Sequence, residues 1–412
     1  MFLSAGRLIN RTRRSLMKRR DFLKAAGLTA ASVAAAPLRA QAAEDKPAVR
    51  SYRPIGRTGL KMSDISFGAG KLLASSMVLR AIDSGINYFD TAPDYGQSEK
   101  TIGEAMARIS RDKIIITSKF CTPMPYPGHL PLGTRKKDYI ASVDGSLSRM
   151  KTDHLDFIFV HAIGEMDKSL EAEKKRLLDE EMLAAVADLK KAGKVRFLGT
   201  SSHGPNNMEE LLLTAVRSGH FDVIQPAFNF MKFPKLPGVL KEAHKQGVGV
   251  IAMKTLAGAM EMNMEAGEKD FSHAAFTWVL KHPEISGLII TMKTAADMEL
   301  YLRASGAKFT SADQDVLKRY ARLYGREYCR TGCGACEGAC AAGVQIASVM
   351  RYRMYFRDYA MEKRAMESYA LLKKNASACA DCTSPACQGS CPYGLPVKDM
   401  LADAHDSMTF MV

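Results

Sequence analysis

Gly85-Ile86-Asn87-Tyr88-Phe89-Asp90-Thr91-Ala92-Pro93-Asp94-Tyr95-Gly96-Gln97-Ser98-Glu99 decides how the chain is read. Ile86 to Asp90 predicts a short strand, because apolar and β-prone residues run straight into a carboxylate, and Thr91 to Gln97 is turn chemistry opening onto a helix. Such a strand carries Asp90 to its C-terminal end, with Tyr95 on the loop beside it. In parallel α/β folds those strand ends are where chemistry collects. Taken alone, an Asp before a turn is more simply a helix cap; its surroundings change that reading.

Working outward, eight strand-like runs alternate with helical patterns: residues 65–70, 86–90, 113–119, 156–161, 195–201, 223–229, 248–254 and 287–292. Several are continuous β-branched, apolar runs, as expected of strands buried on both faces. The stretches between them are amphipathic, as in Glu181 to Lys191 with Leu183, Val186 and Leu189 on one side. Eight such units over about 250 residues is the size of a (β/α)8 TIM barrel; a doubly wound open sheet is the alternative. Arg53 to Met62, with Gly56 and Gly59, predicts a hairpin closing the barrel bottom.

The second, third and fourth runs end at Asp90, Lys119 and His161, which with Tyr95 places four polar groups at one rim. Here the chain resembles the aldo-keto reductase family. The matching words are Tyr52 to Leu60, Asp90-Thr91-Ala92 with Tyr95-Gly96, Thr117-Ser118-Lys119, Phe157 to His161, Leu198-Gly199-Thr200-Ser201, and Gln225 with Phe228-Asn229. The resemblance implies an oxidoreductase interconverting a carbonyl and an alcohol. Tyr95 is then the general acid, Lys119 lowers the phenol's pKa, Asp90 holds the ammonium, and His161 orients the substrate oxygen. The Pro-rich loop Cys121 to Thr134 is a candidate pocket wall. A polar cluster in a barrel without activity is the competing reading.

For a nicotinamide cofactor the family's positions fall on Ser201, Ser202, Gln225, Met253 and Lys293. Met253 stands where an aromatic residue usually stacks on the ring, Ser202 replaces an Asn, and Asp297 lies where a phosphate is usually met. The resemblance therefore implies NADP(H), held tightly where it is present.

Eight of the nine cysteines lie beyond the barrel: Cys329, Cys333, Cys336, Cys340, then Cys379, Cys382, Cys387, Cys391, the last followed by Pro392. Two compact quartets of thiols suit two 4Fe-4S clusters, each iron taking one thiolate. Zinc usually draws two close pairs separated by a longer span, and disulfides suit an oxidising compartment; both remain weaker alternatives. Residues 346–374 lack Gly and Pro and predict helix. The tail resembles an α-helical ferredoxin-like module, in which Cys340 and Cys391 can be exchanged between clusters. Cys121 is expected to be a small buried hydrophobe, and His129, His154 and His203 packing or surface residues.

Lys18-Arg19-Arg20-Asp21-Phe22-Leu23-Lys24, the Ala-rich run to Leu38 and Ala40-Gln41-Ala42 together predict a twin-arginine signal peptide over residues 1–43, with Met17 a candidate start. The apolar run is too short to span a bilayer, and no Cys near the cleavage site suggests a lipid anchor. The formal charge is +14, but residues 1–43 carry +8 of it, leaving too diffuse a surplus for a nucleic-acid footprint. The expected organisation is a leader, a barrel over 51–310 and an iron-sulfur ferredoxin-like domain over 326–404. The expected protein is a periplasmic oxidoreductase with a small carbonyl substrate, a redox partner protein and the twin-arginine translocase as its partners. An electron-transfer protein using its barrel as a docking scaffold is the second hypothesis.

Overall fold

The computed structural model describes residues 46–409 apart from residues 73, 124–126, 167–168, 205, 232–234, 258–269, 331–332 and 360. The leader expected over 1–43 lies outside the described residues. The chain first forms a hairpin of β1 (Tyr52–Pro54) and β2 (Lys61–Ser63). Eight parallel strands follow: β3 (Ile65–Gly68), β4 (Tyr88–Asp90), β5 (Ile115–Lys119), β6 (Leu155–Val160), β7 (Val195–Ser202), β8 (Val223–Pro226), β9 (Gly249–Ala252) and β10 (Gly287–Ile290). They pair in chain order, and β10 returns to β3, closing a barrel with helices between successive strands. All eight runs expected from the sequence are strands, and the open-sheet alternative falls with the β10 to β3 pairing.

Alternation along each strand sorts the core. Phe89, Ile116, Ile158 and Leu198 face outward into the layer shared with the helices. Tyr88, Ile115, Phe157, Phe159, Val223, Ile251 and Ile289 form a separate cluster inside the barrel. The hairpin plugs the bottom: Ile55 and Met62 join this inner cluster, and Arg53 donates to the carbonyls of Leu280 and Ile285. Gly56, at φ +47°, lies so close to β9 that a Cβ there would come within 2.4 Å of the Gly247 carbonyl oxygen. Only glycine meets both conditions.

Beyond the barrel the helix Ser311–Tyr324 packs on the helix Phe271–Leu280, with the Phe271 and Tyr320 rings stacked at 4.2 Å. The remaining tail is helical. Its core of Tyr328, Ile346, Val349, Met350, Tyr355, Tyr369, Val397 and Leu401 also takes in Met231 and Ala257 from barrel loops. Residues 46–412 cluster as one compact unit. The single helix expected over 346–374 is two, Ile346–Arg357 and Glu362–Ala370. No Gly or Pro marks the break; the Tyr359 carbonyl leaves helical pairing to accept from Lys71 Nζ at 2.6 Å. No helix among the described residues is long and apolar enough to cross a membrane.

Candidate active site

The alternation that points Tyr88, Ile115, Phe157 and Phe159 inward also points the next inward positions, Asp90, Lys119 and His161, to the upper end of the barrel. On the neighbouring strands the same parity gives Ser201, Gln225 and Met253. All six line one cavity of about 280 Å³ with Tyr95 and Lys293. Ser202, one residue further along β7, has the opposite parity. It is buried outside the cavity lining, and its hydroxyl donates to the Ile163 carbonyl at 2.8 Å.

Lys119 Nζ donates to Asp90 Oδ1 and to the Thr91 carbonyl, both at 2.7 Å, and lies 4.9 Å from the Tyr95 ring centroid. Gln225 Nε2 donates to the other Asp90 oxygen at 3.1 Å, so the amide is spent on fixing the carboxylate. Tyr95 Oη and His161 Nε2 are 3.4 Å apart. Lys119 was expected to lower the Tyr95 pKa; the net shift is upward, because burial, with Asp90 and Asp94 nearby, pushes the phenol well above its ordinary value. Tyr95 is therefore a protonated phenol at neutral pH. Burial, with His129, Lys119 and His203 beside it, pushes His161 well down, leaving a neutral imidazole.

The other side of His161 was not legible as a site. Its Nδ1 is 3.1 Å from Cys121 Sγ and 3.9 Å from Asp94 Oδ2. An antiparallel bridge between Cys121 and His129, held by Thr122 N to Gly128 O at 2.7 Å, folds the Pro-rich loop so that both side chains point inward. Cys121 is buried as expected, but among polar groups. His203 is buried too: Nδ1 meets Arg351 Nη1 at 2.6 Å, and Nε2 lies 3.6 Å from Glu165. Arg351 comes from the tail and is 1% exposed. His154, by contrast, is partly exposed and pairs with Asp153.

The tail roofs the cavity with Tyr355, Asp358, Tyr359, Met361 and Arg364. Sequence reasoning missed these, and also Lys254, although it closes the run 248–254 as Asp90, Lys119 and His161 close theirs. Lys254 has φ +55°, a conformation a non-glycine residue adopts at a cost. Its Nζ sits 4.9 and 4.7 Å from the Tyr355 and Tyr359 ring centroids. Burial, then the charges of Arg351 and Arg364 and to a lesser extent Lys71, lower it to about 7 against the opposing pull of Glu165.

In the tail, Cys329, Cys333, Cys336 and Cys391 line one apolar cavity with Ile346, Met350, Leu395 and Val397. Burial, with Cys329, Glu337 and Cys333 beside it, pushes the Cys336 thiol up to about 12. Burial and the crowding of Cys340, Cys387 and Cys382 push Cys379 up to about 11. The sets as gathered in space thus exchange Cys340 and Cys391 relative to their order in sequence. None of these cysteines is in a disulfide.

The comparisons agree with this architecture. The chain is 29% identical over 224 residues to L-glyceraldehyde 3-phosphate reductase of Escherichia coli K12, a match covering 50% of this chain and 61% of that enzyme. It is 28% identical to L-galactose dehydrogenase of Arabidopsis thaliana over 60% of this chain and 85% of the relative. Among solved structures, an aldo-keto reductase from Pseudomonas aeruginosa superposes with a TM-score of 0.53, at 24% identity, over 64% of this chain and 98% of its own. Residues 71–272 match the model of the Aldo/keto reductase family, and the chain carries an aldo/keto reductase family domain.

Proposed function

We propose that the protein is an exported iron-sulfur oxidoreductase that interconverts a carbonyl and an alcohol in the cavity between the barrel mouth and the tail. The observation that carries this reading is the convergence of Tyr95, His161 and the Lys119–Asp90 pair in a cavity roofed by the cysteine-bearing tail. Tyr95 delivers its phenolic proton to the carbonyl oxygen, and Lys119 steadies the phenolate that this leaves. His161, neutral, donates from Nε2 to the same oxygen as charge develops on it. Asp90, held by Gln225, keeps Lys119 in place.

Two quartets of thiols, each gathered in space and free of disulfides, suit cubane iron-sulfur ligation. When bound there, two 4Fe-4S clusters would supply one electron each, and because clusters transfer no hydride, a hydride carrier held by the chain, a tightly bound nicotinamide being the one the family resemblance implies, would have to join these two electrons to a solvent proton for the carbonyl carbon while Tyr95 gives its proton to the oxygen. A freely exchanging dinucleotide is disfavoured at its phosphate end. The helix N-terminus after β10, a natural phosphate site, is taken by Asp297, which accepts from the backbone of Lys293 and Thr294 at 3.0 and 2.9 Å. Electrons then enter from a redox partner at the tail. Export by the twin-arginine translocase to the periplasm fits this route, because no nicotinamide pool is maintained there.

The substrate class follows from the lining. Lys71, Lys254, Lys293 and Arg364 face the cavity with Asp358, whose carboxyl burial lifts to about 6 against the pull of Arg353 and Arg357. A small polyhydroxylated carbonyl bearing a carboxylate or phosphate suits this surface, and the relatives' sugar-derived substrates support it. The test is an assay of the full chain on sugar-acid and sugar-phosphate carbonyls with either a reduced viologen dye or NADPH. Turnover is expected with the dye alone; turnover with NADPH at the same rate would restore the nicotinamide mechanism. Lys254 supplies a pH signature: as pH rises through about 7 its ammonium is lost. KM for an anionic substrate is therefore expected to rise roughly tenfold, about 1.4 kcal/mol, over the titration. Lys254→Met should abolish that slope in KM-against-pH measurements.

A further inference from the structure

We propose that Asp94, Cys121, His129 and His161 bind one divalent ion of the zinc class, which fixes His161 from the side opposite the substrate. One donor atom from each residue lies within 4.8 Å of the other three, and all four residues are buried. Cys121 Sγ is 3.1 Å from His161 Nδ1 and 3.7 Å from His129 Nδ1, and Asp94 Oδ2 is 3.9 Å from each of these two nitrogens. A tetrahedral ion with Zn–S of about 2.3 Å and Zn–N and Zn–O of about 2.0–2.1 Å has ligand–ligand edges of roughly 3.3–3.6 Å. The four separations given, 3.1 to 3.9 Å, bracket those edges, and the other two are no longer than 4.8 Å.

A second observation is independent of this spacing. Asp94 is 3% exposed, and its Oδ1 has no hydrogen-bond partner among the described residues. A carboxylate oxygen sealed from water without a donor is costly, and a cation beside it removes that cost. The surroundings also resemble an outer shell. His129 Nε2 lies 3.5 Å from Glu165 Oε2, the carboxylate–histidine arrangement that orients metal-bound imidazoles. His161 turns its other nitrogen to Tyr95 at 3.4 Å. Thiolate, imidazole and carboxylate together suit zinc better than magnesium or calcium, which prefer oxygen.

Four protein ligands leave no open position, so the ion is a positioning device and does not activate water. With Nδ1 on the ion, the His161 proton is confined to Nε2, the nitrogen facing Tyr95. The ion's presence does not depend on the carbonyl chemistry proposed above, and the following measurements read it without an activity assay.

The full chain is purified after expression with added zinc. Its zinc and iron are counted, and its zinc environment is read by X-ray absorption. One zinc per chain with one sulfur at about 2.3 Å and three nitrogen or oxygen ligands at about 2.0 Å is expected. His129→Gln and Cys121→Ser should each lose about one zinc per chain without change in iron, because the tail thiols are common to all three proteins. Zinc content equal across the three proteins would overturn the proposal. So would an all-sulfur zinc environment, or no zinc, in the unaltered chain, which settles the matter even where a variant fails to fold.

Discussion

Tyr95→Phe is expected to reduce kcat/KM for carbonyl turnover by about 10²–10⁴-fold, the usual worth of a positioned general acid. The phenylalanine ring retains the packing of Tyr95 against Lys119 and His161 and removes only the oxygen. His161 cannot substitute well, because its burial leaves it a neutral imidazole with no acidic proton to give. The check is steady-state kinetics of the full chain with dye as electron donor, accompanied by iron content and near-ultraviolet circular dichroism. Turnover equal to the unaltered protein would leave the barrel as a scaffold and favour the electron-transfer hypothesis.

The second large effect concerns the tail. The spatial sets place Cys391 with Cys329, Cys333 and Cys336, and Cys340 with Cys379, Cys382 and Cys387. Losing one ligand from either set is expected to lower iron from about eight to about four atoms per chain. Double substitutions separate the two partitions. Cys391→Ser with Cys329→Ser should cost no more iron than Cys391→Ser alone, whereas Cys391→Ser with Cys379→Ser should remove nearly all of it. The opposite ranking would return Cys391 to the set of its sequence neighbours.

The barrel was legible because its strands are buried on both faces, and continuous β-branched runs bounded by turn residues seldom fold as anything but buried strands. Asp90, Lys119 and His161 were legible because each closes such a run. Ser201 and Ser202 are neighbours on one strand, so alternation sets them on opposite faces and only Ser201 lines the cavity. The direction of the Tyr95 shift is set chiefly by burial, with Asp90 and Asp94 adding to it, and the sequence does not show how deeply the phenol is enclosed. Cys121 and His129 read as inert because the loop that brings them to His161 is closed by backbone pairing between residues with no shared pattern. The break after Arg357 carries no Gly or Pro, and the Tyr359 carbonyl there accepts from Lys71 Nζ, a long-range contact with no local sequence signal.

Arg351 carries a consequence for whether the two halves of the chain can be separated. Its guanidinium, on a tail helix, donates to both the ring and the carbonyl of His203 on the barrel, and Met231 and Ala257 are buried among tail side chains. Cutting the gene between the two halves would strand a buried cation on one product and bare apolar ground on both. Neither half is therefore expected to keep its packing without the other.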